Sequence, residues 1–256
     1  MKKNSFPNGL LPSLVSNNQQ ELLEASLGVN IERIKKKIGN STDIIVREAA
    51  NGKSEIKMAI LYTDGLADKK VISDFVAESL MLDLKEEAVE QKASGLPHMF
   101  HVLKDYALTI GDIKEVSDFE SLFGSLLSGD AIILLDGISR GITASSRGWK
   151  DRGVTEPSAQ TVVRGPREAF SETLRTNTAL IRRRIKDPNL WLETVRVGKV
   201  TKTDVAIMYI NGIANEKVVQ EVRDRIERID IDGVLAIFQL TGIRLFSHAC
   251  PFSQPP

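Results

Sequence analysis

The chain has 256 residues, 42% hydrophobic and 27% charged, and its 34 Lys and Arg balance 34 Asp and Glu. That composition is ordinary for a globular protein with room for two domains of about 100–150 residues, and zero net charge argues against a general nucleic-acid or anionic-membrane surface. A single cysteine, Cys250, excludes an internal disulfide framework, and no apolar run approaches the ~20 residues of a membrane span.

Residues 1–18 are rich in Asn, Ser, Pro and Gly and read as a mobile tail. They lack the apolar core of a secretory signal, so the chain reads as soluble and cytosolic. Helical spacing runs from Glu21 to Ile38, with Gly39-Asn40 as its stop. A strand over Asp43 to Arg47 leads through Asn51-Gly52, a hairpin turn, into a second apolar strand at Ala59 to Tyr62. Gly65 supplies the sharp exit, Asp68 the N-cap, and Val71, Ile72, Phe75, Val76 and Leu80 the apolar stripe of a helix. Helices continue to Ala93, and Gly95-Leu96-Pro97 interrupts them. Asp118 to Leu127 reads as another helix. Ala131 to Leu135 is a buried strand, Asp136-Gly137 a turn, and Ile142 to Ser146 the partner strand.

Arg147 to Pro166 holds three Gly, two Pro and many polar residues and reads as a linker. A charged helix then opens at Gly165-Pro166, with Glu168 and Glu172 early, Arg182-Arg183-Arg184 and Lys186 late, and Asp187-Pro188 at its end. At about 100° per residue, Phe170, Leu174, Ile181 and Ile185 form its apolar stripe. Asn177 sits in the middle of that stripe and Arg184 at its edge. Three successive arginines cannot all face away from the body, so a buried Asn and Arg need partners. Backbone carbonyls and lobe-to-lobe ion pairs are one solution. The other is a subunit or small ligand held by Arg164, Arg167, Glu168, Asn177 and the arginine run, Arg183 and Arg184 above all. A hairpin follows, with strands at Trp191 to Val197 and Val205 to Ile210 around Gly198-Lys199.

Met58 to Phe75 (MAILYTDGLADKKVISDF) and Val205 to Val222 (VAIMYINGIANEKVVQEV) align without a gap at an offset of 147. They share Ala59/Ala206, Tyr62/Tyr209, Gly65/Gly212, Ala67/Ala214, Lys70/Lys217 and Val71/Val218, with Asp64/Asn211 and Asp68/Asn215 as near-matches. The second helix carries Val218, Val222, Ile226 and Ile229 on one stripe. The pattern predicts an α/β (α+β) protein of two lobes. Each has a small mixed sheet flanked by helices, with its strands covered on both faces. The expected divisions are a tail and helix at 1–40, a first subdomain at 41–146, a linker at 147–165 and a second subdomain at 166–256.

Enzyme chemistry finds little footing. There is no Gly-x-Ser-x-Gly elbow, phosphate loop or Gly-x-Gly-x-x-Gly after a strand. His98 and His101, with Asp105 one turn further, have the spacing of part of a metal site but stand beside a Gly-Pro break, as surface residues do. Asp64 and Asn211 lie at strand C-termini, where α/β proteins bind ligands; turn chemistry accounts for them equally. No cofactor or metal is expected.

The stretch Glu156-Pro157, Val162 to Glu168, Phe170, Glu172 and Asn177 to Pro188 resembles the signature of the GerA family of spore germination receptors. Thr201-Lys202-Thr203, Tyr209 to Gly212 and Tyr62 to Lys70 extend the match. In particular it is similar to the soluble N-terminal region of the A subunit. Ala169 stands where Gly is usual, Gln160 where an acid is common, and Cys250 to Gln254 matches the family's ending only in part. The resemblance implies a cytosolic domain of a membrane receptor subunit at the spore inner membrane. A transmembrane region would follow it, B and C subunits would be its partners, and nutrients would trigger the signal. It leaves two roles: a signalling and assembly module, capable of self-association, or a two-lobed receptor that binds a small nutrient directly.

Overall fold

A computed structural model describes residues 21–50, 57–74, 96–110, 112–148, 170 and 173–233. Helix α1 (Leu27–Lys37) leads into strands β1 (Ile44–Ala50) and β2 (Lys57–Thr63). Helix α2 (Leu96–Ile110), β3 (Ile113–Val116), α3 (Phe119–Leu126), β4 (Ala131–Leu135) and β5 (Gly141–Ala144) follow. The C-terminal region contains α4 (Leu174–Arg184), β6 (Leu190–Val197), β7 (Thr203–Ile210) and α5 (Glu216–Glu227).

Strands β1 to β5 form one sheet in the order β1-β2-β4-β5-β3, and β6 and β7 form a second. Alternation of side chains places β2 and β4 between two cores. Ala59, Leu61, Ile132 and Leu134 face a cluster with Ile31 and Ile34 of α1 and Leu122 and Leu126 of α3. Ile60, Tyr62, Ile133 and Leu135 face the other side, against Ile72 and against Phe100 and Leu103 of α2. Coverage of both faces explains why these strands are almost wholly apolar.

The class is α+β, as the pattern predicts, but the sheets are not mixed: every pairing of the described strands is antiparallel. β1 and β2 pair from Ile44↔Thr63 to Ala50↔Lys57, and β6 and β7 from Leu190↔Ile210 to Val197↔Thr203. These two and β4–β5 are pairs of strands consecutive in the chain, which join antiparallel over a turn without a crossover, whereas β2–β4 and β3–β5 pair antiparallel across connections that contain helices. The Asn51-Gly52 turn lies outside the described residues. Gly198, at φ +94°, opens the second hairpin turn.

Other expectations shift by a few residues. The first helix begins at Leu27 rather than Glu21, because the preceding segment is held extended by bonds from Leu23 N to Ser117 O and Phe119 N to Glu21 O. It stops where expected, with Gly39 and Asn40 at φ +61° and +52°. The helix after the linker begins at Leu174, since Thr173 is extended (φ −96°, ψ 114°) and β-branched residues enter helices reluctantly. Pro166, Glu168 and Glu172 lie outside the described residues. Strand β7 is half-buried rather than covered on both faces. On α5 the buried residue is Val219, while Val218 and Ile229 are each 44% exposed. Of the stripe Val218, Val222, Ile226 and Ile229 only the ends are exposed, Val222 and Ile226 being half-buried, and Arg223, one turn after Val219, reaches Glu193 on β6.

Candidate functional site

The loop between α1 and β1 is the seam to which the C-terminal region attaches. Leu192 N donates to Ser41 Oγ (3.0 Å), Thr42 N to Leu192 O (3.1 Å) and Trp191 Nε1 to Lys37 O (3.1 Å). The indole ring lies so close to Gly39 that a Cβ there would stand 2.0 Å from Trp191 Cδ2. Gly39 is thus required twice, by its positive φ and by the ring.

Helix α4 completes the seam with one face. Residues 175, 179 and 182 are spaced by four and three, so they line up along the helix. Arg175 Nη2 lies 2.8 Å from Asp64 Oδ1, which also meets Lys69 Nζ at 3.2 Å. Ala179 fits against Gly65: a Cβ on that glycine would fall 2.9 Å from the alanine's Cβ. Arg182 Nε and Nη2 donate to the two carboxylate oxygens of Asp43 at 2.7 and 3.0 Å. Arg182 is 0% exposed and Asp43 8%. A planar, two-pronged pair of this kind is strong and directional, and burial makes loss of either partner costly. Nη1 of Arg182 has no hydrogen-bond partner among the described residues.

The structure sorts the predicted residues. Asn177 is buried, as expected, together with Thr178 and Ala179, but the expected apolar stripe is not the buried line. Leu174 and Ile181 are half-buried and Ile185 is exposed. A helix face that docks on two carboxylates is polar, so hydrophobic periodicity points away from it. Of the arginine run, Arg182 is the one taken inside; Arg183 is half-buried and Arg184 exposed. Asp64 joins the seam, whereas Asn211 is exposed in the other turn. Arg164, Arg167 and Glu168 lie outside the described residues. The pattern named Arg182 within the arginine run but put Arg184 at the edge of the buried face, and it missed Asp43 altogether. The available signal was the i, i+7 placement of Arg175 and Arg182 opposite two aspartates that each adjoin a strand end.

A second polar cluster sits on the outer hairpin. Arg223 Nε donates to Glu193 Oε2 at 2.8 Å, its Nη2 bonds the other carboxylate oxygen, and Tyr209 Oη donates to Glu193 Oε1 at 2.6 Å. The guanidinium's hydrogen bonds hold the Glu193 carboxyl below its ordinary range despite burial. Burial and the neighbouring carboxylate push the Tyr209 hydroxyl up to about 12. Trp191 meets Tyr209 edge to face at 6.0 Å. The cluster is internally paired, the condition for a stable polar network rather than a reactive one. No group of three or more metal-ligand side chains occurs among the described residues, and no described helix is long and apolar enough to cross a membrane.

These features define an α+β protein in which a hairpin-and-helix region is keyed by an arginine helix onto a larger antiparallel sheet. The model of the Bacillus/Clostridium GerA spore germination protein family matches residues 32–251, and the chain belongs to that family. It is 39% identical over 215 residues to spore germination protein KA of Bacillus subtilis, covering 84% of this chain and 38% of that protein. It is 33% identical over 212 residues to spore germination protein B1 of the same organism, covering 83% and 42% respectively. The chain therefore spans about two fifths of the length of these relatives. Among solved structures it is similar to the N-terminal domain of the A subunit of the Bacillus megaterium spore germinant receptor GerK3. The TM-score there is 0.65 at 35% identity, covering 82% of this chain and 74% of that one.

Proposed function

We propose that this chain is the N-terminal domain of a nutrient germinant receptor A subunit, working in signalling and assembly rather than catalysis. It sits at the cytosolic face of the spore inner membrane, beside a membrane-spanning region and the B and C subunits. The chain divides into subdomains at 41–146 and 166–256, joined by a linker at 147–165. The observation that carries this reading is the fully buried Arg182–Asp43 pair. It joins the helix after the linker to the root of β1, so it sets the angle between the two sheets, and a change in that angle is a signal a membrane region can read.

In this reading Arg164, Arg167, Glu168, Arg183 and Arg184, from the same stretch of sequence, meet the other subunits, while the buried Asn177 serves the helix's own seam. Charge reversal at Arg164, Arg167 and Arg183 in variants that still fold is expected to lower both receptor assembly and the germination response to nutrient. Normal assembly and response in those variants would sink the reading. Direct nutrient capture at the seam is disfavoured by its filling, since Arg182 is wholly enclosed there. Thermal shift of the chain against amino acids and sugars separates the two roles, because a bound nutrient raises Tm by mass action.

A further inference from the structure

The two copies of the repeat have the same turn with different surroundings. In the first, Asp64 N donates to Asp43 O (2.7 Å), Leu66 N to Thr63 O (3.2 Å), Ala67 N to Thr63 O (3.1 Å) and Lys70 N to Asp68 Oδ1 (2.8 Å). In the second, Asn211 N donates to Asn189 O (2.8 Å), Ile213 N to Ile210 O (3.1 Å), Ala214 N to Ile210 O (2.9 Å) and Lys217 N to Asn215 Oδ1 (2.9 Å). Gly65 and Gly212 have φ +88° and +85°. The backbone is one device used twice.

The first device is occupied. Helix α4 lies on it, with Ala179 and the Arg175 carbonyl against Gly65. The second is open among the described residues, none of which lies within 4 Å of a Cβ built on Gly212. Ile213 is 79% exposed where its counterpart Leu66 is 1% exposed, and Val218 is 44% exposed beside it. Ile213 and Val218 thus present apolar surface at the point where the first copy is covered.

We propose that the turn Asn211–Ile213 with the first turns of α5 is a docking site for a helix of a different polypeptide. The contact face of that helix is uncharged and carries a small residue at the crossing. The helical form and the small residue follow from the occupied copy, where a helix bearing an alanine packs on the same backbone. The charge follows from the substitutions between copies. Asp64 and Asp43, which hold Arg175 and Arg182, are replaced by Asn211 and Asn189. Two amides stand in place of the two carboxylates, and the neighbouring Asp187 carboxylate is turned to Asn189, whose N and Nδ2 donate to its Oδ1 at 2.8 and 2.9 Å, so a buried arginine there would lack the paired counter-charge that the first copy supplies. A second copy of this chain presenting α4 is thereby disfavoured as occupant, and that helix is in any case engaged in its own seam. The inference rests on the repeat alone and does not require the signalling role proposed above.

The test places a benzophenone photo-crosslinker at Ile213 of the full-length protein in its native spores, with Glu227, exposed at the far end of α5, as the control position. The expected result is a crosslink from 213, at least tenfold above 227, to one other polypeptide. Its labelled peptide should lie in a helix without Lys or Arg on the face carrying the label. Ile213→Asp, Asn211→Asp and the parent should have equal Tm, and a crosslinker placed at Val218 should lose its yield at least tenfold in either variant. Labelling of a second copy of this chain, a labelled helix whose contact face is basic, a yield no higher than at 227, or yields unchanged by both variants would each overturn the proposal. Failure of the signalling role would instead show as normal germination in the Arg164, Arg167 and Arg183 variants with the 213 crosslink intact.

Discussion

The turn at 64–68 and the turn at 211–215 match in backbone and differ in everything that touches them. One is buried under an arginine helix; the other projects Ile213 and Gly212 outward. Local sequence is therefore sufficient to make the turn but not to bury it. The residue at the strand end differs with burial: Asp64 meets the Arg175 guanidinium at 2.8 Å, and the second copy has the uncharged Asn211 there. The N-terminal region is a three-layer body with a core on each face of its sheet. The C-terminal hairpin instead uses a paired polar network on its exposed side.

The contrast is most strongly tested at the seam. Arg182→Met or Asp43→Asn is expected to lower unfolding free energy by about 3–5 kcal/mol, measured by urea denaturation, because each leaves a buried partner uncompensated. The double variant Asp43→Leu/Arg182→Met should recover most of that loss. If the single variants were neutral, the pair would not hold the regions together. Next come the equivalent glycines. Gly212→Ala should cost about 1–2 kcal/mol for its positive φ alone. Gly65→Ala carries the same backbone cost and should exceed it by about 1–3 kcal/mol, because its Cβ meets Ala179. Equal costs would mean that α4 does not rest on the first turn.

Smaller effects sharpen the likeness of the copies. Asp68→Ala and Asn215→Ala each remove a cap and should each cost about 1 kcal/mol; a large difference would break the equivalence of the two turns. The smallest effect is the pH dependence of the Glu193 cluster. A carboxyl held low by Arg223 adds stability above the unfolded value of about 4.3 and loses it as pH falls through the folded value. Glu193→Gln should remove that acid-limb loss, worth under about 1 kcal/mol for a partly exposed pair. At the other end, the Tyr209 hydroxyl is raised to about 12. Its contribution is present below the unfolded value of about 10 and fades as pH rises through the folded value. In an ultraviolet titration of the folded chain, Tyr209→Phe should delete a late-titrating step.

Much of the fold is legible in the residues, and the reasons are local. Ala131 to Leu135 reads as a buried strand and is β4. Asp118 caps α3 by accepting from Ser121 N at 2.7 Å, and Gly39-Asn40 ends α1 with two positive φ angles. The candidate site was legible only in part. Asn177 is buried as its place in the helix predicted, and three adjacent arginines required at least one to turn inward. Which one did not follow from apolar spacing, because the docking face of α4 is polar and its partners lie 139 and 111 positions earlier in the chain.

The sequence by itself determined the repeated strand-turn-helix unit, the hairpins that precede each copy, and the membership in a germination-receptor family that a long arginine-bearing motif carries. These depend on neighbours within a few residues, where φ preference, capping and side-chain period act. Only the tertiary structure decided that Arg182 meets Asp43, that Trp191 closes over Gly39, and that one turn is covered while no described residue covers its twin. Those outcomes depend on charge and shape meeting across more than a hundred residues, and no periodicity encodes such a meeting.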